Sequence, residues 1–470
     1  MRLDEYRQYD GVGLSRLIRD GDVSADEVLE AAIASIEERN PAINAVVLRL
    51  FDAARAQVRQ SHAGPFGGVP FLIKDLGLSI AGVPTSAGSR LFAGSTRSGD
   101  STLVARYRAA GLVICGKTNT PELGLASTTE PVLYGPTANP LKPNHSAGGS
   151  SGGAAAAVAA GMVPMAHASD GGGSIRIPAS CCGLLGLKPT RARVPLGPYG
   201  LEGWGGLSTT HAITRSVRDS ALLLDLSSGP EPGAPYYAPP PPRSFRAAAT
   251  SDPRTLRIAL TLDSFAGGPV NPQVRSVAEQ AAAQCSGLGH QVQHDRPDID
   301  AQVFRDAHGI LALSHVAATI DERLQVLGRE LRDDDVEKVT FRNYHAGYAM
   351  TGAQYAWAQN RVREEGLTLA RFFDRYDVLM TPTMAILPPL LGALDMMTED
   401  DATYLEILYG MIAFTALFND TGLPAISVPL GWSESGLPVG VQCVAPMGGE
   451  AVLLSLAGQL ERAGFFRQPL

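Results

Sequence analysis

The chain has few cysteines and no pattern among them. Cys115, Cys181, Cys182, Cys285 and Cys443 are all that occur in 470 residues. An odd number without paired spacing argues against a disulfide framework and suits a reducing compartment. The adjacent Cys181 and Cys182 read as small buried packing residues rather than a redox couple. Long apolar runs are also missing. None approaches the roughly 18 residues of a membrane helix, and Met1 to Glu5 show no charged-then-apolar leader pattern. A cytoplasmic address without a membrane partner is expected. Basic charge is in deficit: 39 Lys and Arg stand against 47 Asp and Glu, a net charge of −8. That argues against a nucleic-acid partner. The nine histidines include no HExxH or similar ligand spacing, and Asp333-Asp334-Asp335 reads as a solvated loop or helix start. No metal and no other cofactor is expected.

What is present is a globular composition, 45% hydrophobic and 18% charged, in a chain ample for a large core. Its organising stretch is residues 146–188. Two serines sit there in glycine-rich loops, Ser150 in GGSSGG and Ser174 in DGGGSIRIPA. Between them the pattern predicts an alanine helix over 154–160 and an apolar strand over 163–168. Glycine lets a backbone approach a ligand closely. Successive free N–H groups make a concavity for negative charge. Gly171, Gly172, Gly173 and Ser174 therefore read as an oxyanion loop carrying its own hydroxyl nucleophile. The nucleophile needs a base, and no histidine lies at a recognisable spacing. Lysine serves when burial lowers its pKa. Lys74, at the end of the apolar run 69–73 in GVPFLIKDLGL, is the candidate.

Lys74, GGSSGG and DGGGSIRIPA together resemble the amidase signature family, whose members hydrolyse amides with a Ser-cis-Ser-Lys triad. The resemblance implies Ser174 as nucleophile, Ser150 as a bridging serine held by a cis peptide, and Lys74 as base. The two serines lie 24 residues apart, which suits the family. It also implies an α/β/α sandwich around a large mixed β-sheet. One amidase domain over 1–470 is expected, with an N-terminal helical segment about 1–60 and a substrate-shaping helical region about 300–375. Gly124, in KTNTPELGL, matches a position where family members approach the substrate through backbone. Ser151, Asp170 and Arg176 are expected to support the site. Asp170 and Arg176 flank the oxyanion loop and either order it or, for Arg176, bind a substrate carboxylate. The family often has threonine where Gly171 stands, so this loop is expected to be either looser or held by packing from outside.

KTNTPELG, TTEP and ASDGGGSIRIPAS resemble bacterial amidases acting on aryl or alkyl amides and on cyclic nylon oligomers. A small amide is the substrate implied. Carbamate, urethane or ester cleavage by the same acyl-enzyme chemistry stays open. So do the A subunit of a glutamyl-tRNA amidotransferase and a binding protein without catalysis. A second copy of the chain stays open as a partner.

Two other motifs match formally and fail on context. Gly111 to Thr118 fits GxxxxGK[ST], but its middle, 112–115, reads as an apolar strand and not a phosphate loop. Gly148 to Gly152 fits GxSxG, but the residues before it, KPNHS, make no buried strand. Elsewhere, Ser24 and Glu27 form a capping box for a helix that Asn40-Pro41 should stop. That helix packs on the body or serves an oligomer interface. Helices are expected at 102–110, with Gly111 beyond its end, at 221–226, after Asn271-Pro272, and at 450–460. Strands are expected at 257–260, 378–380, 423–429 and 439–444. The proline-rich 229–242 reads as an extended surface connection. Ser314, His315, Tyr344, Tyr355 and Trp357 are candidates for lining the pocket.

Overall fold

A computed structural model describes residues 1–60, 63–200 and 202–467. Its strands in chain order are β1 (Val46–Arg49), β2 (Pro70–Lys74), β3 (Val113–Thr118), β4 (Ala138–Asn139), β5 (Lys142–Ser146), β6 (Met165–Asp170), β7 (Leu185–Lys188), β8 (Thr209–Thr214), β9 (Arg257–Leu260), β10 (Gln291–His294), β11 (Val378–Pro382), β12 (Ala425–Trp432) and β13 (Pro438–Val444). Eleven of them form one sheet in the order β1-β3-β2-β6-β8-β7-β12-β13-β11-β9-β10. The sheet is mixed. β3, β2 and β6 run parallel, as do β11, β9 and β10, and the strands between them pair antiparallel. β4 and β5 form a separate short ribbon.

Side-chain alternation along the strands splits the core in two. In β2, Phe71 and Ile73 point into one apolar cluster and Leu72 into the other. Helices cover both faces. Gly152–Ala159 and Arg176–Cys181 lie in the cluster of Leu72, while Val217–Ser227 and Glu450–Arg462 lie in the cluster of Phe71 and Ile73. This is the expected α/β/α sandwich.

Several expectations change in detail. The helix Ala25–Ile43 keeps its capping box but runs through Pro41, ending at Asn44 in the left-handed region. The Asn40 side chain receives the N–H groups of Ala45 and Val46, so the chain turns three residues later than expected. This helix buries Val28, Leu29, Ile33 and Ile36, which places its apolar stripe in the core. The N-terminal segment is not wholly helical, because β1 joins the sheet edge antiparallel to β3. β3 extends through Gly116, Lys117 and Thr118, and Lys117 pairs with Asp75 at 2.5 Å. The formal phosphate-loop match is thus a buried strand. β5 covers KPNHS but is largely unburied, unlike the core strand of a nucleophile elbow. Asn271 caps the helix Pro272–Gly287 as expected.

Residues 301–373 are mostly helical: Ala301–Leu327, Lys338–Tyr348 and Gly352–Phe373. All five cysteines are buried and unpaired. No described helix is long and apolar enough to cross a membrane.

Candidate active site

The parallel pair β2 and β6 ends on one edge of the sheet, so the last residues of both strands meet there. β2 delivers Lys74, fully buried. β6 delivers Ser169 and Asp170. The loop after β5 delivers Ser150, and the peptide between Gly149 and Ser150 is cis. Lys74 Nζ lies 2.6 Å from Ser150 Oγ and 3.1 Å from Ser169 Oγ. Burial pushes the Lys74 amine down to about 7, against a smaller upward pull from the Asp170 charge. Near neutral pH a large share of this lysine is a free base.

The ground under Lys74 is fixed by a histidine that sequence reasoning did not single out. Lys74 donates its backbone N–H to His167 Nδ1 at 3.2 Å. His167 Nε2 therefore carries the proton and donates to Thr210 Oγ1 at 2.5 Å, and Thr210 donates on to the Ala168 carbonyl. Burial, followed by the Lys74 charge, holds His167 well below its ordinary value. It is a neutral support, not a second base.

The glycine-rich loop 171–174 is anchored from below. Burial alone would raise the Asp170 carboxyl, but the charge and hydrogen bonds of Arg176 hold it well below the ordinary range. Asp170 accepts from Arg176 Nε at 3.0 Å and Nη2 at 2.8 Å. It also accepts the backbone N–H groups of Gly173 at 2.7 Å and Ile175 at 3.1 Å. Arg176 is fully buried and donates further to the Thr415 carbonyl, Gln442 and Asn419. Of its two expected readings the structure has the ordering one, since no donor of this guanidinium is turned to solvent.

Thr415 Oγ1 also binds the Gly172 carbonyl at 2.7 Å, and Trp204 lies against Gly171. Of the two expectations for a glycine at 171, these contacts supply the outside packing. One expectation changes: the Gly173 N–H is taken by Asp170 and does not face a substrate. Among the described residues, the N–H groups of Gly171, Gly172 and Ser174 take no intramolecular hydrogen bond.

Ser174 is half-buried, as are Gly171 and Gly172. Its hydroxyl makes no hydrogen bond among the described residues, to Ser150 or otherwise. Ser151 supports β6 by donating to the Ser169 carbonyl at 3.2 Å. Gly124, with φ of +73°, sits against the Ser150 hydroxyl: a Cβ there would lie 3.2 Å from Oγ. The middle-region candidates divide. His315 and Tyr355 bond each other at 3.0 Å and border Gly205, next to Trp204. Ser314 bonds back to the Ile310 carbonyl, Tyr344 bonds Asp321, and Trp357 is exposed with Arg361 over its ring. Asp335 in the acidic run pairs with Arg329. Among the described residues no group of three or more His, Cys, Asp or Glu is placed to hold a metal ion.

The sequence and the fold have close relatives. The family model described as Amidase matches residues 27–454. The 6-aminohexanoate-cyclic-dimer hydrolase of Paenarthrobacter ureafaciens is 38% identical over 467 residues, covering 97% of this chain and 94% of the relative. An acylamidase of Rhodococcus erythropolis is 35% identical over 458 residues, covering 94% and 93%. A solved structure of 6-aminohexanoate cyclic dimer hydrolase complexed with substrate superposes with a TM-score of 0.93 at 36% identity, covering 98% of this chain and 99% of that one.

Proposed function

The chain belongs to the amidase family, the amidase signature enzymes that hydrolyse amides, and from that membership we propose that Ser174, Ser150 and Lys74 are its catalytic triad. The observation that carries this is the Lys74 Nζ to Ser150 Oγ contact of 2.6 Å at a lysine whose pKa burial brings to about 7. Neutral Lys74 takes a proton from Ser150, and Ser150 takes one from Ser174. Ser174 Oγ attacks the amide carbon. The N–H groups of Gly171, Gly172 and Ser174 are free to receive the oxyanion. The proton then returns through Ser150 to the leaving nitrogen, which would otherwise depart as a strongly basic anion. Water repeats the attack on the acyl-enzyme.

The proposed substrate is a small aryl or alkyl amide, linear or cyclic. What supports this is the similarity to a cyclic-dimer hydrolase and to an acylamidase. Carbamates and esters present the same carbonyl to the same nucleophile. One amidase domain is proposed, with the helices of residues 301–373 shaping the pocket. A cytoplasmic address is proposed from the five free thiols.

The test is a turnover screen of the purified protein beside Ser174→Ala, on aryl amides, aliphatic amides, glutamine, carbamates and esters. Amine release from a non-glutamine substrate, lost in Ser174→Ala, is expected. Weak glutamine turnover alone would favour a subunit awaiting its partner. Turnover surviving in Ser174→Ala above a fraction of a percent would remove Ser174 from the role.

A further inference from the structure

Beside the proposed oxyanion loop lies a second group of ionisable side chains that the triad does not use. His308, on the helix Ala301–Leu327, places its ring beside Gly172: a Cβ on Gly172 would lie 3.6 Å from Nε2 and 3.7 Å from Cε1. His308 Nδ1 is committed to Asp420 Oδ1 at 2.7 Å. Nε2 takes no hydrogen bond among the described residues. Asp420 is fully buried, whereas the His308 side chain keeps 14% of its surface exposed. The Asp420 turn is itself held, because Arg191 donates to the Asn419 and Asp420 carbonyls. The ring is thus fixed through one nitrogen and presents the other beside backbone N–H groups that are also unused.

From this geometry we propose that His308 is a specificity-determining residue, whose Nε2–H donates to an oxygen acceptor on the acyl portion of the substrate. The acceptor is a second carbonyl or a carboxylate, placed beyond the scissile carbonyl. The inference rests on the amide-hydrolase reading of the same site. It assigns the acyl side a chemical preference: amides whose acyl group ends in an oxygen acceptor over those whose acyl group is hydrocarbon alone.

The donor state of Nε2 depends on charge. With Nδ1–H given to Asp420, a neutral ring has only a lone pair at Nε2, and the imidazolium has a proton there. Burial alone would lower His308, but the Asp420 charge and hydrogen bond outweigh it and leave the imidazole raised. The neighbouring groups agree. Glu365, from the helix Gly352–Phe373, is pushed up to about 8 by burial and then by Asp420, so it is largely uncharged near neutrality. Burial raises the Asp420 carboxyl, and the charge and hydrogen bond of His308, followed by the Arg191 charge, oppose that rise. A raised imidazole is charged below its folded pKa and loses the donor as pH rises through it. The acceptor preference therefore holds below the folded His308 pKa, which is raised above the ordinary imidazole value, and fades as pH rises through it.

The experiment compares glutaryl and butyryl para-nitroanilides, alike in chain length but for the terminal carboxylate. A hydrogen bond from a charged donor predicts a kcat/KM ratio of roughly tenfold to a hundredfold for glutaryl over butyryl in the wild type. The ratio should collapse toward one in His308→Leu, chiefly through KM. It should be partly restored in His308→Gln, which keeps a neutral donor, and a merely structural histidine would show no such rescue. In Asp420→Asn the pH at which the ratio fades should move down, because the charge that raises His308 is gone. A wild-type ratio near one, or a ratio that survives in His308→Leu, overturns the inference. The same two anilides are titrated by calorimetry onto Ser174→Ala and onto Ser174→Ala with His308→Leu. Absent turnover would count against the triad reading, while a binding difference lost with His308 would still support this one and equal binding would overturn it.

Discussion

At the scale of single residues, the site is a problem in burying charge. Lys74 is fully buried, and its amine falls to about 7. Between that value and the ordinary lysine range the unfolded chain binds the proton and the folded protein does not, so stability rises with pH across this window. Two outcomes follow. The kcat/KM of the wild type should climb with pH through about 7, as Lys74 becomes a free base. Lys74→Met should lose nearly all turnover yet gain thermal stability near neutrality by calorimetry, with the gain shrinking toward about pH 10.

Arg176 is the opposite case, a buried cation made safe by its partners. Removing it strands the Asp170 carboxylate. Arg176→Met should cost about 3–5 kcal/mol in urea unfolding near neutrality. Asp170 is held below the ordinary carboxylate range, so its stabilisation is present above that range and lost as pH falls through the folded value. The gap between wild type and variant should therefore narrow in acid. The sequence announced Lys74, Ser150 and Ser174 because each stands in a local motif. It could not announce Thr415, Asn419 or Gln442, which reach Arg176 or its loop from more than two hundred residues away.

At the scale of elements, two helices show different constraints. Gly152–Ala159 is buried along its whole length, so it has no solvent stripe to read, and its small residues measure the closeness of its neighbours. A Cβ on Gly153 would lie 2.4 Å from the backbone nitrogen of Asn119. Ala156→Leu should cost about 1–3 kcal/mol by overpacking, seen as a lower urea midpoint. The helix Lys338–Tyr348 starts at Glu337, which accepts the Val132 N–H at 2.7 Å and donates its own N–H to Glu122 at 2.7 Å. Burial, followed by the Glu122 charge, raises Glu337 to about 7. A raised carboxyl keeps its proton in the folded state, so stability falls as pH rises from the ordinary glutamate value through about 7. Glu337→Gln keeps the acceptor and removes the ionisation. Its Tm should exceed the wild type's at about pH 8 and match it at about pH 4.

At the scale of the whole molecule, one sheet carries both apolar clusters. β6 gives Ala166 and Ala168 to one and Met165 to the other. The N-terminal helices are tied across the body: Tyr6 donates to the Met162 carbonyl, and Asp219 accepts the N–H groups of Gly11 and Val12. With both clusters built on the same strands, neither face can melt alone. Calorimetry should show one transition, and two resolved transitions would overturn that expectation.

The sequence by itself determined the family, the order of the three motifs, the capping of the helix at Ser24, and the apolar run that ends at Lys74. These are local patterns, set by turn chemistry, glycine and side-chain periodicity within a few residues. Tertiary structure decided what those residues touch. It turned Arg176 inward to Asp170, gave the Gly173 N–H to the same carboxylate, put neutral His167 beneath Lys74, and brought His308 to Asp420. It also let Pro41 stay inside a helix that a local rule would have ended. The physical reason is common to all of these. Burial, charge pairing and hydrogen-bond satisfaction are settled between segments far apart in the chain, and no window of neighbouring residues contains both partners.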